Sequence, residues 1–335
     1  MLTRRCGAWL FGPLIACNLL AWAWAFCAFQ HSPALLGAAL LAWMFGLRHA
    51  VDADHIAAID NVVRKLMQTG RRAQTAGLWF SLGHSTVVVV ASLIITASAV
   101  GIEHWLGIAR QIGGVAGTLV SAAFLLGIAL ANLVVLRSVW RSFVIVRMGG
   151  VIDDHANAMA MSGRGLIARM LRPVLRGITR NWQMYPLGFL FGLGFDTATE
   201  IGVLGLSATQ ASQGMSHWQV MVFPALFTAG MALVDTMDSV LMGHAYGWAL
   251  TNPLRKLWYN LTITAASVLV AVLIGTVELL GLIGSKLSLG GPIWAVIVKL
   301  NGNLGYLGFT VIGLFVACWI TSFTLYRWPG SDSSE

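Results

Sequence analysis

Charge is scarce in this chain: 10% of its 335 residues are Asp, Glu, Lys or Arg, against 57% hydrophobic. A water-soluble domain carries about 25% charged residues, so the composition excludes one. It leaves a polytopic, all-α integral membrane protein, whose length sets a number of spans rather than of domains. Cysteine is also sparse. Cys6, Cys17, Cys27 and Cys318 form no CxxC pair, three of them lie in apolar runs, and they read as small buried hydrophobes. No GxxxxGK[ST] occurs, so the chain has no nucleotide-hydrolysing engine of its own and implies no ATPase subunit. HExxH and HxxHH boxes are missing too, which argues against an intramembrane protease or desaturase. The first apolar stretch follows Arg4 and Arg5 but, running over 8–29, is too long for a signal-peptide core; it reads as an uncleaved first helix.

A spanning helix needs about 20 mostly apolar residues. That places eight spans at 8–29, 34–59, 76–100, 115–137, 184–207, 218–242, 257–281 and 304–326. Segment 291–300 is too short to cross and is expected at the interface. With the N-terminus cytoplasmic, seventeen of the twenty-one lysines and arginines fall on the inner side; only Arg110, Lys286 and Lys299 lie outside, with Arg48 in the membrane. Both termini are then cytoplasmic. The same asymmetry accounts for the net charge of +8, so nucleic acid is not needed as a partner. The longest hydrophilic piece, 138–183, reads as a cytoplasmic connector whose arginines meet anionic lipid, with Asp153, Asp154 and His155 as a weak candidate for metal sensing.

Against this apolar background four spans carry concentrated polar chemistry. The second contains Arg48-His49-Ala50-Val51-Asp52-Ala53-Asp54-His55-Ile56, with Asp60 following; the third contains Leu82-Gly83-His84-Ser85-Thr86. The fifth contains Gly194-Phe195-Asp196-Thr197-Ala198-Thr199-Glu200, and the sixth runs from Gly230 through Asp235-Thr236-Met237-Asp238. Each charge at the bilayer centre costs roughly 2.5–3.5 kcal/mol on insertion scales, so such residues face a cavity or one another and handle ions. Structural alternatives exist. A lone His84 in an apolar helix is ordinarily a hydrogen-bonded core residue, and the pairs Asp196/Glu200 and Asp235/Asp238 could bond to Thr197, Thr199 or Thr236. Seven carboxylates in three spans with Arg48 as the one fixed cation nearby nevertheless call for cations or protons. Imidazole mixed with carboxylate suits borderline first-row divalent metals, and the lack of cysteine beside these residues disfavours copper(I). The pattern predicts a polar path lined by spans two, three, five and six, the other spans facing lipid.

On a continuous helix His49, Asp52 and His55 follow one slanted stripe, Asp60 extends it, and Asp54 points about 140° from His49, toward another helix or a supporting role. His49 and His55 would stand about 9 Å apart along the axis. They could share an ion only at the limit of their reach, unless the helix is interrupted as in many transporters; otherwise they serve successive sites. Phe45-Gly46-Leu47 and Phe191-Gly192-Leu193, three spans apart, form a weak signature of an inverted repeat.

These four motifs, in order and across the chain, resemble the signatures RHA(V/F)DADHI, LGHS, LGFDTATE and GMxxxDTxD of the nickel/cobalt transporter family of secondary permeases. The resemblance implies a single permease domain over 1–335 in a bacterial cytoplasmic membrane, importing Ni²⁺, often with Co²⁺, for metalloenzymes such as hydrogenase or urease. It implies His49, Asp52, Asp54 and His55 as the essential residues, with His84 next. The full candidate metal set is His49, Asp52, Asp54, His55, His84, Asp196, Glu200, Asp235 and Asp238, with the metal as cargo and no resident cofactor. Efflux, or transport of another divalent metal, is the competing reading; related exporters carry a long His-rich loop that this chain lacks.

Overall fold

The computed structural model describes residues 2–97, 103–147, 178–194, 197–249, 253–303, 306, 308–314 and 317. Among them the fold is helical throughout. The helices are α1 (Leu2–Phe29), α2 (Pro33–His49), α3 (Ala53–Gln68), α4 (Ala76–Ala97), α5 (Glu103–Arg147) and α6 (Met184–Gly192). They continue with α7 (Ala198–Ser212), α8 (His217–Val220), α9 (Val222–Ala249), α10 (Pro253–Lys286) and α11 (Pro292–Asn301). Trp9–Phe29, Ala76–Ala97, His217–His244 and Thr264–Lys286 are long and apolar enough to cross a bilayer, and α2 with α3 makes a fifth such unit bent by 50°.

Two expected spans are interrupted. The span read as 34–59 breaks at Ala50–Asp52, and the one read as 184–207 breaks between Gly192 and Ala198. Hydropathy could not see either break, because a few non-helical residues do not change a 20-residue average. The local chemistry accounts for both. Asp52 and Thr197 adopt extended backbone (ψ 144° and 142°) as N-caps of α3 and α7, and Asp54 and Glu200 sit in the first turns that follow. Short polar side chains favour such caps, and carboxylates are stabilised at a helix N-terminus by its partial positive charge.

Other boundaries also differ. α5 continues to Arg147, ten residues into the segment expected as a loop, because no glycine or proline occurs before Gly149. Most of that loop, including Asp153, Asp154 and His155, lies outside the described residues, as does most of 304–326. α11 has no buried residue. Cys17 and Cys27, expected inside, stand unpaired on the outer face of α1.

Packing inverts the soluble pattern. The buried face of α4 carries Gly77, Ser81, Gly83, His84, Ser85 and Ser92, while Trp79, Leu82, Leu93 and Ile94 point outward. Helices in lipid gain little from burying large apolar groups and associate through small residues that let backbones approach. Gly83 meets the backbone of Tyr185 and Phe189 on α6, and Gly188 meets that of Phe80; likewise Gly230 meets Trp43 and Leu47 on α2, and Gly46 meets Phe227. The two pairs use one pattern: an aromatic-x-x-Gly on a half-helix crossing a Phe-x-x-Gly on a full helix. A Cβ at any of these four glycines overlaps a backbone atom of the facing helix. Gly188→Val should therefore lower the thermal midpoint of the purified protein, overpacking costing about 1–3 kcal/mol. Gly205→Val, at a position with nothing within 4 Å, should leave it unchanged.

Candidate metal centre

The break after α2 changes the reach of its histidines. His49 is the last residue of α2 and His55 lies in the first turn of α3, and the bend brings their rings to a centroid distance of 4.6 Å. His84 from α4 stands 4.7 Å from His49 and 4.8 Å from His55. One ligand atom from each of the three lies within 4.8 Å of the others, and all three rings are buried. The interrupted-helix alternative left open by the sequence is the one the structure adopts.

Glu200, in the first turn of α7 and 1% exposed, completes a tight triangle. His84 Nε2 lies 2.8 Å from His49 Nε2 and 2.8 Å from Glu200 Oε1, while His49 Nε2 and Glu200 Oε1 are 3.9 Å apart. The midpoint of that long edge is about 2.0 Å from all three atoms, the usual length of a bond from a divalent metal to imidazole or carboxylate. In the free protein His84 Nε2 can offer one proton to this triangle at most; a divalent cation can engage all three lone pairs.

The supporting contacts set the histidine tautomer. His49 Nδ1 faces Asp52 Oδ2 at 3.2 Å, Thr199 Oγ1 at 3.1 Å and Thr197 Oγ1 at 3.3 Å. A carboxylate only accepts, so Nδ1–H donates to Asp52 and the Nε2 lone pair is left toward His84 and Glu200. Asp52 therefore touches the cluster as the partner of His49. Thr197 also donates to Glu200 Oε2 at 2.9 Å, fixing that carboxylate.

A second set of groups is buried without such support. Neither ring nitrogen of His55 has a hydrogen-bond partner among the described residues, and neither carboxylate oxygen of Asp235 has one. His55 Nδ1 and Asp235 Oδ1 are 3.5 Å apart, both residues fully buried. Unsatisfied buried polar groups are costly and in native proteins mark strain, function or an absent partner; imidazole beside carboxylate is a donor set for a first-row cation.

The remaining candidates divide. Asp238 is half-buried one turn beyond Asp235, with Oδ2 unpartnered. Asp54 is half-buried in the first turn of α3, and the break after α2 removes the single stripe expected of a continuous helix. Asp196 lies outside the described residues. The expectation that spans four and seven only face lipid needs correction. α10 sends Ser267 Oγ to Asp60 Oδ2 at 2.7 Å, and α5 sends Asn132 Nδ2 to Asn61 Oδ1 at 2.6 Å. An aromatic wall also went unread. Phe80 meets His55 edge-on at 4.8 Å, and Phe227 lies 5.5 Å from His49. Its one signal in the sequence is the repeated Phe-x-x-Gly.

Membrane-length helices around a buried histidine–carboxylate cluster define a multi-pass membrane protein with an intramembrane centre fit for a divalent cation. The chain belongs to the NicO family of high-affinity nickel-transport proteins, whose model matches residues 35–325. It is 54% identical to a high-affinity nickel transport protein of Cupriavidus necator, over 97% of this chain and 93% of that one. It is 56% identical to the hydrogenase nickel incorporation protein HupN of Bradyrhizobium diazoefficiens, over 95% and 83%. A cobalt transport protein of Rhodococcus rhodochrous, NhlF, is 37% identical over 94% and 91%. No solved structure matches the chain significantly.

His84→Ala should weaken Ni²⁺ binding by purified protein, read in equilibrium dialysis, more than loss of an outer partner does. Asp52→Ala should weaken binding about 10–100-fold, as loss of an outer partner does.

Proposed function

We propose that the protein imports Ni²⁺ across the bacterial cytoplasmic membrane as an ATP-independent secondary transporter. The observation that carries this reading is the convergence of His49, His55, His84 and Glu200 inside a chain of the nickel-transport family. His49, His84 and Glu200 are the primary ligands; His55 closes the site from α3, and Asp235 supports it. Three donors near the corners of a square suit a tetragonal Ni²⁺ better than a tetrahedral Zn²⁺. Co²⁺ is the secondary cargo, in keeping with the printed name of the Rhodococcus relative. The aromatic wall keeps the site dry and strengthens its electrostatics.

The architecture is one permease domain over 1–335 with eight spans and both termini in the cytoplasm. Spans two to four and five to seven form an inverted repeat. Its register pairs Trp43-x-x-Gly46 with Tyr185-x-x-Gly188 and Phe80-x-x-Gly83 with Phe227-x-x-Gly230. The Phe191-Gly192-Leu193 match lies one helical turn away from that register. In this reading the site sits where the two interrupted spans meet, and rocking of one repeat against the other exposes it alternately to each side.

Import is tested by radiolabelled Ni²⁺ uptake in cells expressing the protein. Uptake should be saturable, diminished by excess Co²⁺ and little affected by Mn²⁺. His49→Ala and Asp52→Ala should abolish accumulation with membrane insertion intact. Faster loss of preloaded metal on expression would instead establish efflux. Ligand histidines must be neutral to bind, so acid competes with the metal. Apparent affinity should weaken as pH falls from 7.5 to 5.5, read from uptake at subsaturating Ni²⁺; a flat profile would contradict proton competition at the ligand imidazoles in this range.

A further inference from the structure

The break between α2 and α3 sets where two of the histidines stand, so whatever fixes the break fixes the site. Ala50–Asp52 separate His49 from the first turn of α3, and the two helices meet there at 50°. Val51 N–H donates to Arg48 O at 3.0 Å and Asp52 N–H to His49 O at 3.0 Å; the ladder of α3 resumes with Ile56 N–H on Asp52 O at 3.2 Å. None of these bonds ends on the Val51 carbonyl. A link with so few bonds of its own is the softest part of the two helices, and it keeps one geometry only where neighbours impose it.

The neighbour comes from the far end of the chain. Residues 308–314 are helical, and Gly308 is buried against the break. A Cβ on Gly308 would overlap the carbonyl oxygen of Val51, and it would stand 2.9 Å from that carbonyl's carbon and 3.2 Å from Ala53 N. The Cα–H that such a Cβ would replace therefore points at an oxygen that lipid cannot hydrogen-bond. Val311 belongs to the same apolar cluster as Ala53 and Ile56 of α3, with Val51 and Ile312 packed against it. Tyr306 places its ring centre 5.5 Å from the guanidinium carbon of Arg48, in the last turn of α2. One short stretch thus meets the end of α2, the break and the cluster of α3.

We propose that Tyr306, Gly308 and Val311 form a brace, with Gly308 as its central positioning residue: resting on the Val51 peptide, it sets the spacing of His49 and His55 and so the affinity for Ni²⁺. The inference rests on the metal site described above and adds to it the contact that holds its two half-helices in register. Gly308 offers no ligand atom and acts through the break alone. Any side chain there has to displace either the helical segment or the break. The break is the softer, and His49, Asp52 and His55 move with it.

Gly308→Ala in purified full-length protein tests this, with Gly313→Ala as the comparison, since Gly313 lies in the same segment with nothing within 4 Å. Alanine favours helix over glycine at both positions, so neither change weakens the segment itself. Equilibrium dialysis well below the thermal midpoint should show Ni²⁺ binding weakened about tenfold or more in Gly308→Ala, the scale on which outer contacts act on a metal site. Gly313→Ala should bind as wild type. X-ray absorption on loaded Gly308→Ala protein should count one imidazole fewer than in wild type, a change that lost stability alone does not produce. If Gly308→Ala yields no folded protein, Tyr306 decides. Tyr306→Ala should weaken binding about threefold, while Tyr306→Phe, which keeps a ring face for Arg48, should bind as wild type. Unchanged affinity in Gly308→Ala, weaker affinity with an unchanged shell, or equal weakening in Gly313→Ala would overturn the brace. Without folded Gly308→Ala, equal binding by the two Tyr306 variants would overturn it too. A wild-type protein that binds no Ni²⁺ would instead overturn the metal site itself.

Discussion

Imidazole and carboxylate groups inside a hydrocarbon slab have to be compensated where they stand, and the rest of this molecule is arranged around that requirement. His49, His55, His84, Glu200 and Asp235 are all almost wholly buried. Asp52, Thr197 and Thr199 satisfy one side of His49, and Thr197 satisfies one side of Glu200. Among the described residues His55 and Asp235 have no hydrogen-bond partner and face each other at 3.5 Å. Only side chains brought within one ion's reach can answer that need, and a straight helix cannot do so. The interruptions at Ala50–Asp52 and before Ala198 bring them there, and each also places a helix N-terminus beside an acidic residue in its first turn. Broken helices are tolerated at such depth because the backbone they expose is enclosed by protein rather than by lipid.

Much of this was legible in the residues. The scarcity of charge announced a membrane protein, and the four polar motifs named the side chains that meet. On α3 His55 and Asp60 are buried and Asp54 is half-buried, though the angles counted along one continuous helix lose their meaning at the break. The breaks were less legible, since a hydropathy window averages across them; the reach of His49 and His55 was the one clue, through the difficulty of sharing an ion along a straight helix. The division of labour between Asp52 and Glu200 could not be read at all. It depends on which oxygen meets which nitrogen of His49, and one-dimensional spacing does not encode that. The Phe-Gly-Leu match lies one turn away from the glycines whose backbones cross. A glycine beside an aromatic recurs often in such a composition, and only backbone contact tells which copy crosses the partner helix.

The inner network shows the same logic in other chemistry. Around the metal centre imidazole meets carboxylate; farther along α3 the Arg64 guanidinium donates to the Asn61 amide oxygen, which Asn132 also reaches. Asn61 joins the two regions, since it lies one residue beyond Asp60 on the helix that begins at the centre. α5 and α10, which carry almost no ionisable groups in their midsections, contribute through Asn132 and Ser267. Their role is invisible to a search for charge alone.

The central claim is that a divalent ion is held by imidazoles from α2, α3 and α4 together with a carboxylate from α7. X-ray absorption at the nickel edge, on purified protein carrying one Ni²⁺, tests it most directly. The account predicts two or three imidazoles in the coordination shell at roughly 2.0–2.1 Å, no sulfur, and one imidazole fewer in a weakly loaded His84→Ala sample. A shell made of oxygen alone, or one unchanged by that substitution, would contradict it.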